Sequence, residues 1–160
     1  MKTLNIFQLL IPKAMTSYIN DTATLRQAAE IMRRHGYTAV PVINSSGEYV
    51  KTMAEGDFLW FMLEHEIHDI VEMEGYSVCD VPKRVMCEPV SVDSTIEDLF
   101  KLSMNQNFVP VVDGRGVFIG IVTRRDILQA CYAELKNREM FSAQPEYKLE
   151  EDIQYREERK

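Results

Sequence analysis

Residues 123–126 read Thr-Arg-Arg-Asp, between the apolar run 117–122 and a second apolar stretch that begins at Ile127. A Thr followed three residues later by an acid, just ahead of a helix, is a capping-box pattern. Thr123 would cap the helix and Asp126 would reach back to the Thr123 amide, together worth about 1 kcal/mol. The arginines do not fit that pattern. A helix N-terminus carries partial positive charge, and an exposed cation there is disfavoured by roughly 0.3–1 kcal/mol. Arg124 and Arg125 break the local rule together, and such lapses gather at functional sites. A phosphate at the helix start turns the penalty into a gain, because backbone amides, dipole and guanidinium forks converge on it. Two readings stand. One is a cap whose arginines are solvated or paired with nearby acids; the other is a phosphate site built from Thr123, Arg124, Arg125 and Asp126. The arginines weigh toward the second.

The element that presents these residues occurs twice. GVFIGIVTRRDIL at 116–128 has an echo in GEYVKTMAEGDFL at 47–59, and TIEDLFKLSMNQNFVP at 95–110 has one in TLRQAAEIMRRHGYTAVP at 24–41. A repeat of this kind governs the whole fold. Leu25, Ala28, Ala29 and Met32 share one helical face, and Ile96, Leu99, Phe100 and Ser103 fall at the same spacing. The second copy is two residues shorter before its proline, which predicts a helix ending a half-turn early. Each helix leads into a short β run (VPVI or VPVV), a glycine-bearing turn, a second strand and a second helix, roughly 57–68 and 126–136. Met15 and Met86 each lie nine residues ahead of the threonine that opens the first helix.

The predicted fold class is α/β, in α+β repeats: two tandem units of strand-helix-strand-strand-helix. Neither has core enough alone, so they pack as one pseudo-symmetric module. Repeat 1 takes residues 10–69, a linker 70–84 and repeat 2 85–138, leaving a charged tail, 139–160, that is disordered or a partner-dependent helix. The tail holds seven acids and four bases, so 4 − 7 = −3 of the formal net charge of −7 lies there.

That acidic balance argues against nonspecific nucleic-acid binding. Apolar runs such as LNIFQLLI are too short to cross a bilayer, and the N-terminal one lacks the basic region and cleavage site of a signal peptide. A cytoplasmic protein with no membrane partner is expected, its three cysteines reduced thiols without metal-ligand spacing.

GVFIGIVTRRD matches the G-x-h-h-G-h-h-T-x-x-D phrase (h hydrophobic) of the CBS domain, and HGYTAVPV resembles its helix-to-proline phrase. Over about residues 10–138 the chain resembles a tandem CBS-domain pair, or Bateman module. The resemblance implies a non-catalytic regulatory module that senses an adenosine-containing ligand (AMP, ATP, S-adenosylmethionine or a related dinucleotide). It implies two candidate clefts between the repeats and pairing into flat homodimers. More narrowly, the chain is similar to small stand-alone bacterial CBS proteins, some of which bind cyclic di-AMP and signal to a partner protein.

In that family the Asp holds the ribose and the Thr hydroxyl contacts ligand, roles implied here for Asp126 and Thr123. A carboxylate suits the first, because it can accept both ribose hydroxyls. Each family cleft draws on both repeats. The Asp126 cleft should therefore include Met15, Ser17 and Tyr18, with Thr38 and Ala39 offering backbone groups to the adenine edge. The other cleft departs from the pattern. Ala54 stands where Thr123 does, Lys51 replaces the glycine matched by Gly120, and Glu55 and Gly56 replace the arginines. Asp57 remains, with Cys87, Pro89, Asn107 and Phe108 as its partners, but Glu55 would repel a phosphate. One working site per chain is expected, around Asp126, and a weaker or empty one around Asp57.

Other chemistry is faint. His65 and His68 of HEIH share a helix face without an obvious third ligand. The glycines of 113–120 join two strands, so they make no dinucleotide fingerprint. No Ser or Cys sits in a nucleophile motif, and His35 reads as a helix end beside Gly36. FLWFML around Trp60 is either core or a dimer face, with CBS pairing favouring the face. The expectation is a non-enzymatic homodimer that binds an adenine nucleotide (cyclic di-AMP, AMP or ATP) as a regulatory ligand, with no catalytic cofactor, and signals to a partner protein. The alternative is a dimeric interaction module with vestigial clefts.

Overall fold

Residues 5–84 and 87–137 are described by a computed structural model, and the charged segment 139–160 lies outside them. The first half runs α1 (Ile6–Leu9), β1 (Ile11–Pro12), β2 (Ile19–Asn20), α2 (Leu25–His35), β3 (Ala39–Ile43), β4 (Tyr49–Ala54) and α3 (Glu55–Glu64). The second runs β5 (Val90–Ser91), α4 (Ile96–Ser103), β6 (Phe108–Val112), β7 (Phe118–Thr123) and α5 (Arg124–Asn137). Strand-helix-strand-strand-helix thus occurs twice, as the repeated sequence requires.

Both core helices start on a threonine. Thr24 accepts from the Gln27 amide and Thr95 from the Asp98 amide, each in a full capping box. Gly36 closes α2 in the left-handed conformation, at φ 64°. The helix α4 has 8 residues against 11 in α2, so the shorter second copy loses nearly a whole turn, more than the half-turn expected. Leu25, Ala28 and Met32 are buried under α2, and Leu99 and Ser103 under α4.

The hairpins match residue for residue. Ala39 pairs with Ala54 and Val42 with Lys51; Phe108 pairs with Thr123 and Val111 with Gly120. Each register shifts at the equivalent point near the turn. The turns also join: the Tyr49 amide donates to the Gly116 carbonyl (3.1 Å) and the Phe118 amide to that of Gly47 (2.9 Å).

Two contacts lay outside what local pattern could show. First, β1 pairs antiparallel with β7, so the N-terminal strand completes the sheet of the second repeat, in the order β1-β7-β6-β5. Gly120 permits this, because a Cβ there would stand 2.2 Å from the Ile11 carbonyl oxygen. Lys51, its counterpart, is buried and donates to the carbonyls of Val78 and Val81, both at 2.6 Å. Burial lowers its pKa from the ordinary lysine value. Second, residues 70–84 are more than a linker. Met73, Val78 and Val81 belong to the core of the first repeat, with Phe58, Phe61 and Ile67. Arg26–Glu74 and Arg84–Glu64 ion pairs fasten the same segment from outside.

Chain contacts divide at residue 127, and the core and every site residue named above lie in the first compact unit. In the second, the described residues continue α5, on which Leu128, Tyr132 and Leu135 are exposed. No helix among the described residues is long and apolar enough to cross a membrane.

Candidate functional site

A cavity of about 320 Å³ opens where the N-terminal segment, the start of β3 and the ends of the second hairpin converge. Met15 and Ser17 line it, with Thr38, Ala39 and Thr123; Ile11, Thr16, Tyr37, Pro41 and Ile121 complete most of the wall. Met15 is 76% exposed and forms a flexible apolar rim. β1, paired with β7, runs through a short turn at Lys13–Met15 into Thr16 and Ser17.

At the Thr123 edge, the Asp126 amide donates to Thr123 Oγ1 (3.1 Å), which makes the threonine the cap of α5. The Thr123 hydroxyl in turn donates to Asp126 Oδ2. Asp126 therefore engages the hydroxyl, where the sequence pattern had suggested the amide. In the first repeat Asp57 does reach the amide, accepting from Ala54 N at 2.7 Å.

Arg124 has local work. Its Nε donates to the carbonyls of Ser103 (2.8 Å) and Gln106 (3.0 Å), at the C-terminal end of α4. A cation there meets the negative end of the helix dipole, which offsets the penalty at the start of α5. Its amide donates to the Asn107 carbonyl (2.9 Å), as that of Glu55 does to Thr38 (3.0 Å). Two of the amides that the phosphate reading drew on, those of Arg124 and Asp126, are thus already bonded within the protein. Arg125 is exposed beside them.

Arg124, Arg125 and Asp126 follow Thr123 but are not among the residues that line the cavity, and three others depart from what the sequence suggested. Tyr18 lines a different cavity, also about 320 Å³, along α2 with Asn20, Gln27 and Arg34, and Lys13 Nζ stands 5.2 Å from its ring centroid. Asn107 and Phe108, assigned to the Asp57 cleft, line the cavity of Thr123. Of the other residues of that cleft, Asp57 and Cys87 are buried, Ala54 is half-buried and Pro89 is exposed.

HEIH forms no shared helix face. The helix α3 ends at Glu64, His65 stacks on Phe61 with centroids 4.0 Å apart, and Glu66 turns the chain at φ 54° before His68. Among the described residues, no group of three His, Cys, Asp or Glu side chains could hold a metal. FLWFML divides its faces: Phe58 and Phe61 are buried, while Leu59, Trp60 and Leu63 are 53%, 52% and 62% exposed.

The CBS domain family model matches twice, over residues 13–64 and 78–133. The second match begins inside the segment first read as a linker. A cyclic di-AMP receptor B of Bacillus subtilis is 25% identical over 127 residues, which cover 76% of this chain and 82% of the relative. The chain spans between 55% and 82% of the length of curated relatives it matches. A crystal structure of CbpB in complex with c-di-AMP superposes with a TM-score of 0.74 at 23% identity, covering 84% of this chain and 88% of that one. One of CBSX2 in complex with AMP gives a TM-score of 0.66 at 22% identity over 81% and 97% of the two chains.

Proposed function

This chain belongs to the CBS-domain family, and we propose that it is a non-catalytic regulatory module that binds an adenine nucleotide in the cavity between Thr38–Ala39 and Thr123. One observation carries the reading. Residues from both repeats, Met15, Ser17, Thr38 and Ala39 on one side and Thr123 on the other, line a single cavity. Its apolar walls suit an adenine ring, and Asp126, held by the Thr123 hydroxyl at the edge, suits a ribose diol. Arg125 and the terminal nitrogens of Arg124 serve the phosphates. At about 320 Å³ the cavity stands at the low end of the range of roughly 300–1,000 Å³ for small-molecule sites, so it takes one nucleotide unit. A cyclic dinucleotide would present its second half outside. The named B. subtilis relative puts cyclic di-AMP first among the candidates, and the AMP-bound CBSX2 structure keeps AMP second.

The exposed Leu59, Trp60 and Leu63 stripe of α3 supports pairing of two copies. Binding would stabilise one arrangement of the two repeats and change a surface read by a partner protein. Calorimetric titration with cyclic di-AMP, AMP, ADP and ATP, at two salt concentrations, tests the reading. Saturable binding that weakens with salt supports a phosphate-bearing ligand held by arginine. Silence from all four sinks it and leaves the dimeric interaction module with vestigial clefts.

A further inference from the structure

The two clefts are built from corresponding positions but treat them differently. Counted back from the helix-opening threonines, Thr16 corresponds to Cys87. Hairpin register matches Ile121 with Thr52, Ala39 with Phe108 and Phe118 with Tyr49. Thr16, Ile121 and Ala39 line the open cavity. Their counterparts are tied to one another. The Tyr49 hydroxyl lies 2.9 Å from Thr52 Oγ1 and donates to the Cys87 carbonyl at 2.8 Å. Cys87, 4% exposed, turns its thiol toward the Phe108 carbonyl at 3.8 Å. Below them the Gln106 side chain exchanges two bonds with the Glu88 backbone, of 2.9 and 3.0 Å. One phenol therefore joins the strand wall of this cleft, at Thr52, to its entry segment, at Cys87. Phe118, the register counterpart of Tyr49, is a buried ring with no hydroxyl to do so.

We propose that the Tyr49 hydroxyl is a latch that holds the Asp57-side cleft shut, and that releasing it admits a second nucleotide per chain. Closure by Tyr49 stands on the geometry alone; the identity of what would enter rests on the nucleotide reading above. A phenol is protonated at neutral pH in any case, and burial pushes this one higher still, so it stays a donor into alkaline solution. With the latch fastened, the Tyr49 hydroxyl takes one lone pair of the Cys87 carbonyl and is bonded to the Thr52 hydroxyl, which ties the strand wall to the entry segment at that point.

The test is Tyr49→Phe in the full chain, a change that only deletes the hydroxyl and copies the residue present at 118. Alkylation of Cys87 by iodoacetamide, followed by mass spectrometry with exposed Cys79 as the internal reference, reads the latch without any ligand. The expected result is Cys87 labelling at least tenfold faster, with Cys79 unchanged. Titrations with AMP and with cyclic di-AMP, run separately, then read the second site: molecules of nucleotide bound per chain should double. Unchanged Cys87 labelling overturns the latch. Faster labelling with no added binding event overturns the second-site half, and wild type that binds neither nucleotide overturns the functional reading while the labelling still decides the latch. If Tyr49→Phe loses its cooperative melt, Thr52→Val opens the clasp from the other side and must shift Cys87 labelling in the same direction.

Discussion

Thr123 and Asp126 hold each other. The threonine hydroxyl caps the Asp126 amide and donates to the Asp126 carboxylate, at the lip of a cavity lined from both repeats. One pair thus caps the start of α5 and ties a carboxylate to a residue that lines the cavity. Thr123→Val keeps the shape and removes both bonds. It should cost about 1 kcal/mol of stability and also weaken nucleotide binding severalfold, whereas Thr123→Ser should recover both. Denaturation and calorimetry on the same samples check this; a stability loss with unchanged binding would reduce Thr123 to a cap.

Gly120 lets the N-terminal strand reach the second sheet. Since a Cβ would meet the Ile11 carbonyl at 2.2 Å, Gly120→Ala must displace β1, and with it Met15 and Ser17. Loss of stability on the order of 1–3 kcal/mol together with at least tenfold weaker nucleotide binding is expected. Faster hydrogen exchange confined to residues 10–17 and 118–122 would locate the cause.

The two arginines should behave differently despite standing side by side. Arg124→Gln removes the Nε bonds to Ser103 and Gln106 and should lower stability by about 1–2 kcal/mol. Exposed Arg125→Gln should leave the melting temperature within a degree and flatten the salt dependence of nucleotide affinity. Melting curves and titrations at two ionic strengths separate these, and equal behaviour of the two variants would refute the division of labour.

Trp60 points outward from α3 beside Leu59 and Leu63, above the buried Phe58 and Phe61. If this stripe pairs two copies, Trp60→Glu should convert a dimer to a monomer in light scattering, with the monomer's secondary structure intact. A dimer of unchanged stability would exclude the face.

Alkaline pH should strain the latched cleft. Burial raises the Tyr49 phenol above its ordinary 10.0 and the Cys87 thiol above 9.0. The unfolded chain releases these protons at the ordinary values while the folded one keeps them. Their contribution is therefore complete below pH 9.0 and is lost as pH climbs through the folded values. Lys51, lowered from 10.5, acts with the opposite sign: its penalty fades as pH rises toward that value. The melting temperature of Tyr49→Phe should fall less than that of wild type above pH 10.0, and parallel falls would contradict the assignment.

The repeated architecture was readable because two periodicities, near 3.6 and near 2, recurred in the same order with the same punctuation. Thr24, Thr95, Gly36 and the hairpin turns mark element ends through local chemistry alone. What escaped was long-range or directional. Nothing local reveals that β1 crosses to the far sheet, or that Met73, Val78 and Val81, spaced without period, fill the first core. A long guanidinium can turn to several partners, and nothing local showed that Arg124 Nε bonds the Ser103 and Gln106 carbonyls at the end of α4. Tyr18 adjoins Ser17, yet Ser17 lines one cavity and Tyr18 the other, a direction that residue type does not carry. Asn107 and Phe108 reach the Thr123 cavity although correspondence of the repeats assigned them to its mate.

The central claim is that a nucleotide occupies the Thr123–Asp126 cavity. Titration of wild type and Asp126→Asn side by side with cyclic di-AMP and with AMP tests it most directly, since asparagine can still accept from Thr123 but carries no charge. Losing a hydrogen bond to an ionised group is worth about 1.5–3 kcal/mol. Saturable wild-type binding with affinity at least tenfold weaker in Asp126→Asn, at equal melting temperatures of the unliganded proteins, is the predicted result. Equal affinities in the two proteins would contradict it.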